Sequence, residues 1–217
     1  FGVDTSKPYF NTTENVMNID ANSCVDNTYY DSTKIVISGG VSDKTDCDYS
    51  GIKMTELLDQ DGKVVSTCKN LNSYSFTLED KRLYSGYTLR VTDNVGNYTV
   101  SEVLPDMVIS QDKSEAIFTP QESYIKIGNK LWYKDNAKIN VTVNNNTSGI
   151  SYVKILINNV TMVEQNNVSE NGKITSKDYA VKTTNSIINN DDCSYKITAI
   201  TKDNAGNSSS DSYIVYK

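Results

Sequence analysis

The sequence predicts an all-β protein made of two tandem antiparallel β-sandwiches. Residues of high β propensity recur along the whole chain, including 15 tyrosines and many valines, isoleucines and threonines. No stretch of the 217 residues shows sustained helical periodicity. Three short motifs from the first half return in the same order in the second half, which indicates two copies of one module.

The repeated motifs lie at turns and strand boundaries. Their offsets of 108, 98 and 110 residues differ, which indicates insertions and deletions in the loops between diverged copies. Pro105 interrupts a strand-like run, because proline cannot donate to a β ladder. The predicted modules are therefore residues 1–106 and 107–217. The matched segments are 4–10 with 112–118, 50–52 with 148–150, and 93–97 with 203–207.

Short alternating runs predict the strands of each module. Asp61-Gly62 is predicted to form a hairpin turn, because glycine accepts the positive φ of a tight reversal. With no helix available to cover a parallel sheet, two antiparallel sheets packed face to face are the expected solution. The predicted strands of the first module are 34–41, 52–59, 63–67, 73–78, 87–92 and 97–104. The positions predicted to face the core are Tyr87, Leu89, Val91, Ile139, Val141, Val143, Val153, Ile155 and Ile157.

The motifs themselves carry a family resemblance. An opening Asp-x-Ser-x-Pro, a central Ser-Gly-Ile and a late Asp-Asn-x-Gly-Asn resemble the bacterial immunoglobulin-like repeats of surface and secreted proteins, particularly of Gram-positive bacteria. The resemblance covers nearly the whole chain, twice, although Ala116 stands where the first copy has Pro8. It implies immunoglobulin-like sandwiches that serve as non-catalytic spacer or adhesion modules of a larger protein at the cell surface or cell wall.

Charge and composition restrict the partners and the chemistry. The net charge of -6 argues against nucleic acid or an anionic membrane surface. No run approaches the roughly 20 apolar residues of a membrane-spanning helix. The chain has no histidine, which removes the commonest general base and the usual partner of a serine or cysteine nucleophile. Acids that cluster in turns, such as 43–48 and 191–192, are interpreted as solvated.

These observations predict a monomer that is not an enzyme and has no resident cofactor. Its expected partners are neighbouring domains of the same polypeptide and, as a second class, a glycan or protein of a host or cell wall. Two alternatives stay open, a carbohydrate-binding module and an accessory domain of a secreted enzyme.

Calcium is the one metal that the sequence leaves as a candidate, because hard cations take oxygen ligands from loop aspartates. Tracing the strands brings the start of each module, at Asp4 or Asp112, to the pole that holds its last hairpin, at Asp93 or Asp203. Asp112 and Asp203 are therefore the candidate calcium ligands, placed where the second module faces the first.

The cysteines suggest one disulfide. Strand tracing places Cys47 and Cys68 at the same pole of the first module, and a bond between them would enclose 20 residues. Closing such a loop with a disulfide adds about 3 kcal/mol to the free energy of unfolding in the chain-entropy estimate. Cys24 and Cys193 are expected toward opposite poles of their modules, and four free thiols remain the alternative.

Aromatic residues are the basis of the carbohydrate alternative, because sugar-binding sandwiches present aromatic platforms. Tyr29-Tyr30 and Trp132-Tyr133 occupy corresponding positions in the two modules, which favours a packing role for both pairs. The other candidate platform residues are Tyr49, Tyr124 and Tyr152.

Overall fold

A computed structural model describes residues 4–44, 49–121, 124–168, 176–184 and 193–217. Over these ranges every regular element is a β-strand. None of them contains a helix with the length and apolar character needed to cross a bilayer. The chain forms two compact units, residues 1–110 (unit 1) and 111–217 (unit 2). The predicted all-β fold of antiparallel sandwiches is confirmed.

Unit 1 carries short strands, and five of the six predicted strands are found to within one residue at each end. The predicted strand 97–104 is shorter and ends at Val100. The strands are β1 Tyr9–Phe10, β2 Asn18–Asp20, β3 Ser23–Val25, β4 Thr28–Asp31, β5 Ile35–Ser42, β6 Ile52–Leu58, β7 Val64–Cys68, β8 Ser73–Leu78, β9 Leu83–Tyr84, β10 Thr88–Asp93, β11 Tyr98–Val100 and β12 Asp106–Ile109.

The core of unit 1 lies between two layers of strands. In one layer β5 pairs antiparallel with β1, β2 and β8. The other layer contains the sheets β11-β10-β6-β7 and β3-β4-β12-β9. Ile37 of β5, Leu57 of β6, Leu89 of β10 and Met107 of β12 are completely buried and belong to one apolar cluster. Burial of such side chains is the main favourable term in folding this unit.

Unit 2 repeats this architecture with longer strands. The sheet β13-β16-β19 faces the sheet β14-β15-β21-β20-β17-β18. Val141 of β16, Ile155 of β17 and Ile197 of β20 are completely buried between them. The strands are β13 Glu115–Gln121, β14 Ile125–Ile127, β15 Lys130–Trp132, β16 Lys138–Asn144, β17 Ile150–Ile157, β18 Val160–Asn166, β19 Ser176–Lys182, β20 Ser194–Asp203 and β21 Ser208–Tyr216.

The last strand of unit 1 changes partners at Pro105. β11 pairs antiparallel with β10, and after the proline the chain continues as β12, parallel to β4 and antiparallel to β9. In unit 2 the single strand β21 pairs antiparallel with β20 and meets β15 in a parallel bridge from Tyr216 to Trp132. The predicted module boundary after Asp106 falls at the first residue of β12, and residues 107–110 group with unit 1.

Turn and core positions follow the sequence pattern closely. Gly62 has a φ of +76°, and the Asp59 N–H donates to the Lys63 carbonyl at 3.0 Å, so the predicted hairpin turn is confirmed. All nine positions predicted to face the core are buried. The alternating pattern therefore identifies the inner faces of β10, β16 and β17.

Gly39 of β5 gives a first testable prediction, because a Cβ added there would lie 2.5 Å from the Tyr74 hydroxyl oxygen. Tyr74 is 3% exposed and its ring packs 6.0 Å from Phe10 and 5.9 Å from Phe76. We expect Gly39→Ala to lower the free energy of unfolding of unit 1 by about 1–3 kcal/mol in urea denaturation, because the core would be overpacked. Ser38→Ala in the same strand serves as control, and an equal loss there would contradict this explanation.

Candidate metal centre

Three carboxylates converge at one pole of unit 1. Asp4 precedes β1, Asp43 follows β5 directly, and Asp93 is the last residue of β10. One carboxylate oxygen from each lies within 4.8 Å of those of the other two. Asp43 is 3% exposed, Asp93 is completely buried, and Asp4 is half-buried. These three residues are called the acid cluster below.

Asp93 organises the last hairpin of unit 1. Its Oδ1 accepts backbone N–H bonds from Val95, Gly96 and Asn97 at 3.0, 2.6 and 2.8 Å, and its Oδ2 accepts from Asn97 Nδ2 at 2.8 Å. Gly96 has a φ of +103°, which few other residues adopt. The Asp-Asn-x-Gly-Asn motif is therefore a turn folded around the carboxylate of its first residue.

Asp4 ties the beginning of the chain to this hairpin. Its Oδ2 accepts from the Ser50 N–H at 2.7 Å and its Oδ1 accepts from the Ser6 N–H at 2.9 Å. Its backbone carbonyl accepts from Asn97 Nδ2 at 3.3 Å. The nearby Ser50 hydroxyl, followed by these backbone N–H groups, holds the pKa of Asp4 below its ordinary value.

Asp43 is the member of the acid cluster with the fewest partners. Its Oδ2 accepts from the Gly51 N–H at 2.7 Å, whereas its Oδ1 is buried and has no hydrogen-bond partner within the described part of the chain. Burial raises the pKa of Asp43, and the negative charges of Asp4 and Asp93 raise it further. Among the described residues, no lysine or arginine forms an ion pair with any of these three carboxylates. Burial and the two neighbouring carboxylates therefore both disfavour the ionised form of Asp43.

Unit 2 has the same arrangement with one change of chemistry. Asn145 follows β16 directly, as Asp43 follows β5, and it is 2% exposed. Its Oδ1 accepts from the Gly149 N–H at 3.1 Å, and its Nδ2 donates to Asp203 Oδ2 at 3.3 Å. An amide thus stands where unit 1 has a third carboxylate. Asp112, Asn145 and Asp203 are called the amide cluster below.

The structure brings the two candidate calcium ligands to this one cluster of unit 2. Asn207 Nδ2 donates to Asp203 Oδ2 at 2.9 Å and to the Asp112 carbonyl at 3.2 Å. Asp112 is exposed, and its Oδ2 accepts from the Thr147 hydroxyl at 2.6 Å. These contacts do not test the predicted role of Asp112 and Asp203 in binding calcium, and the Asn145 amide beside Asp203 makes unit 1 the better place for a cation.

Sequence reasoning missed Asp43. The prediction that the acids of residues 43–48 are solvated is wrong for Asp43, while residues 45–48 lie outside the described ranges. A signal was present in the sequence, since Asp43 and Asn145 each follow the strand that precedes a Ser-Gly-Ile motif. A buried position could not be inferred from that spacing alone, because it depends on how the surrounding loops pack.

The predicted disulfide involves a residue outside the described ranges, Cys47, so the Cys47–Cys68 bond stays a prediction. Cys68 is half-buried at the end of β7, and its Sγ lies 3.8 Å from the Ser73 carbonyl oxygen. Cys24 and Cys193 are both exposed.

The aromatic pairs pack as their recurrence predicted. Tyr30 and Tyr133 are 4% and 6% exposed, and the Trp132 ring lies 5.2 Å from that of Tyr216. The Tyr152 hydroxyl donates to Glu164 Oε1 at 2.8 Å. The candidate platform residues that are exposed are Tyr49 and Tyr124.

The comparison of Asp43 with Asn145 predicts the effect of a single substitution. In metal-free buffer containing a chelator near neutral pH, we expect Asp43→Asn to raise the free energy of unfolding of unit 1 by about 1 kcal/mol. The new amide keeps the acceptor for Gly51 and gains a donor toward Asp93, as Asn145 has toward Asp203. Urea denaturation of the wild type and the variant measures this difference.

This gain should depend on pH. Because the pKa of Asp43 is raised in the folded state, its contribution to stability is present below the unfolded pKa and is lost as pH rises through the folded pKa. The advantage of Asp43→Asn should therefore be full near neutral pH and shrink toward about pH 4. Asn145→Asp in unit 2 should give a loss with the same pH dependence. A gain from Asp43→Asn that does not vary with pH would contradict this explanation.

Comparisons with known proteins give structural matches at low sequence identity. No family model matches the chain, and no curated protein matches it. Fibronectin(III)-like modules of CbhA from Clostridium thermocellum are 14% identical, with 93% of each chain covered and a TM-score of 0.41. A structure of a 1.5-MDa bacterial ice-binding adhesin is 15% identical over 95% of this chain and 65% of that chain, with a TM-score of 0.41. The sialic acid binding region of a Streptococcus sanguinis adhesin is 11% identical over 99% and 78%, with a TM-score of 0.31.

Proposed function

We propose that the chain is a pair of non-catalytic modules, diverged copies of one immunoglobulin-like repeat, that serve as spacer or adhesion elements of a larger bacterial surface or secreted protein. Each unit has its own apolar core, and each gathers equivalent polar residues at one pole. An array of such repeats becomes longer with each repeat that is added, because every unit is folded by its own contacts. The proposed location is extracellular, at the cell surface or cell wall.

The observation that carries this proposal is the way the last strand of unit 1 is held. β12 pairs in parallel with β4 over four residues, from Asp106 opposite Thr28 to Ile109 opposite Asp31. The chain leaves β12 toward its carboxyl end and leads from β4 back to the amino terminus. Once β1, β2 and β3 have separated from their partners, tension on the two ends of the unit slides β12 along β4 and loads the hydrogen bonds between them together. Peeling an antiparallel hairpin would instead break its bonds one at a time.

Unit 2 also holds its last strand, β21, by a parallel contact with an earlier strand, β15. The Tyr133 N–H donates to the Tyr216 carbonyl at 2.9 Å next to the parallel bridge with Trp132. Lys130 Nζ lies 4.5 Å from the centre of the Tyr216 ring, close enough for a cation–π contact. The parallel contact in unit 2 is shorter than that in unit 1, and the contact between the Lys130 and Tyr216 side chains supports it. We infer that both units are built to resist tension along the chain.

Single-molecule pulling of the whole chain from its two ends tests this function. Each unit of about 100 residues should unfold in one step that releases about 300 Å of chain. Ser110→Pro removes the N–H that donates to the Asp31 carbonyl at 3.0 Å, immediately after β12. We expect this variant to lower the unfolding force of one of the two steps.

A matched proline variant separates mechanical from ordinary stability. Lys63→Pro removes an N–H that donates to Asp59 Oδ1 at 2.9 Å, in a hairpin away from the pulled ends. It should leave the unfolding force nearly unchanged even where its loss of equilibrium stability equals that of Ser110→Pro. Equal losses of force in the two variants, or gradual unfolding at low force, would refute the proposed resistance to tension along the chain.

A second candidate function is glycan binding, favoured by one feature of unit 1. Tyr49 is 50% exposed and lines an open cavity of about 270 Å³ together with Ser42, Asn72 and Asn94. An aromatic ring beside hydroxyl and amide groups is the chemistry that binds sugars. A glycan that binds here would make unit 1 an adhesion module rather than a spacer.

A further inference from the structure

We propose that Asp4, Asp43 and Asp93 form a binding site for a hard divalent cation, with Ca²⁺ as the best match, and that Asn145 replaces this cation in unit 2. The site lies in unit 1 and does not depend on the spacer role proposed above, although Asp43 also lines the cavity that contains Tyr49. It rests on the positions of the three carboxylates, on an unpaired buried oxygen, and on the comparison between the two units.

The geometry of the acid cluster suits a single cation. Ca²⁺ binds carboxylate oxygens at about 2.3–2.6 Å, so two of its ligands lie at most about 5 Å apart. The three carboxylate oxygens lie within 4.8 Å of one another and meet this limit. Ca²⁺ also tolerates irregular coordination, which suits carboxylates whose other contacts are fixed by backbone N–H groups. Mg²⁺ demands a nearly ideal octahedron and is the poorer match.

An independent observation points to a missing ligand. Asp43 is 97% buried, since its exposed fraction is 3%, and none of the described residues donates a hydrogen bond to its Oδ1. A buried polar atom without a partner costs about 1–3 kcal/mol, and more when it is charged. This carboxylate belongs to the acid cluster and lies beside two further negative charges. A cation would give that oxygen a partner and balance the charge at once.

Unit 2 shows a neutral solution to the same problem. The Oδ1 atom of Asn145 accepts a hydrogen bond from the Gly149 N–H, as the Oδ2 atom of Asp43 accepts one from the Gly51 N–H. The remaining amide group donates to Asp203 Oδ2 at 3.3 Å and to the Asp112 carbonyl at 3.4 Å. Its N–H groups supply the positive charge density that the acid cluster lacks. The amide cluster therefore needs no cation, whereas the acid cluster does.

Calcium binding to the full chain tests the proposal. Metal-stripped protein is dialysed against radioactive Ca²⁺ up to about 1 mM, the weak end of extracellular calcium modules. We expect one Ca²⁺ per chain, with Mg²⁺ competing poorly. Asp43→Asn should weaken the affinity at least tenfold, and Asp112→Asn, the control in unit 2, should leave it unchanged. No binding by the wild type, or Asp43→Asn binding as tightly as the wild type, would overturn the proposal.

Two further variants keep the test decisive. Asp4 is only half-buried, so Asp4→Asn should fold, and it should also weaken binding at least tenfold. Asn145→Asp restores a third carboxylate in unit 2 and should raise the stoichiometry from one Ca²⁺ to two. A stoichiometry that stays at one in a folded Asn145→Asp variant would overturn the claim that the amide replaces the cation.

Discussion

Replacing Asp93 with alanine should lower the free energy of unfolding of unit 1 by about 3–5 kcal/mol. The carboxylate is completely buried and accepts four hydrogen bonds, three of them from the backbone of its own turn. Alanine would deprive those N–H groups of their acceptor and would release the Asn97 side chain that holds the start of the chain at Asp4. The last hairpin would lose the group around which it folds.

The only tryptophan of the chain makes this result easy to assign. Trp132 lies in unit 2, so its fluorescence follows unit 2, whereas circular dichroism follows both units. Urea denaturation of Asp93→Ala should shift the dichroism transition of unit 1 and leave the Trp132 transition in place. Glu79→Ala, an exposed acid of the same unit, is the control and should change stability little. A loss below about 1 kcal/mol for Asp93→Ala would contradict the described hydrogen-bond network.

Truncating Ile155 should lower the free energy of unfolding of unit 2 by about 2–5 kcal/mol. Its side chain is completely buried at the centre of β17, among the residues of the unit 2 core. Ile155→Ala removes apolar area from this core and leaves a cavity that the two sheets can close only in part. The Trp132 fluorescence midpoint in urea measures the loss directly.

Leu57→Ala is the matched variant in unit 1, because Leu57 is also completely buried and lies in the corresponding strand, β6. It should lower the stability of unit 1 by a similar amount without moving the Trp132 midpoint. If both variants shift the Trp132 fluorescence midpoint in urea equally, the two units unfold together. The proposal of two modules that each fold on their own is then wrong.

Most of the architecture could be predicted from local patterns. Alternation identified the inner faces of β10, β16 and β17, because a strand with one buried face has a period of two residues. The Asp-Asn-x-Gly-Asn turn could be predicted from residue types, since aspartate and glycine serve distinct roles in tight turns. Tracing strands up and down the sandwich also indicated that Asp4 would approach the hairpin at Asp93, and the Asn97 side chain bridges the two.

Long-range pairing could not be predicted in this way. The parallel contact of β12 with β4 joins segments more than 70 residues apart, and Pro105 signals only that a strand ends. The burial of Asp43 is also a tertiary effect, because it requires the turn at Gly51 and the hairpin at Asp93 to close over one carboxylate. From the sequence alone, a run of acidic residues in a turn is therefore interpreted as solvated.

Thermal unfolding of the purified chain with a panel of host and plant glycans tests the proposed spacer role most directly. A ligand that binds only the folded state raises the unfolding midpoint by mass action, because it adds about 2.7 kcal/mol to the free energy of unfolding at a hundredfold excess over its dissociation constant. Ca²⁺ is kept constant in every sample, so that occupancy of the acid cluster does not vary. The spacer role predicts the same midpoint with every glycan. A midpoint that rises with one glycan and returns when Tyr49 is replaced by alanine would contradict it and identify a carbohydrate-binding module.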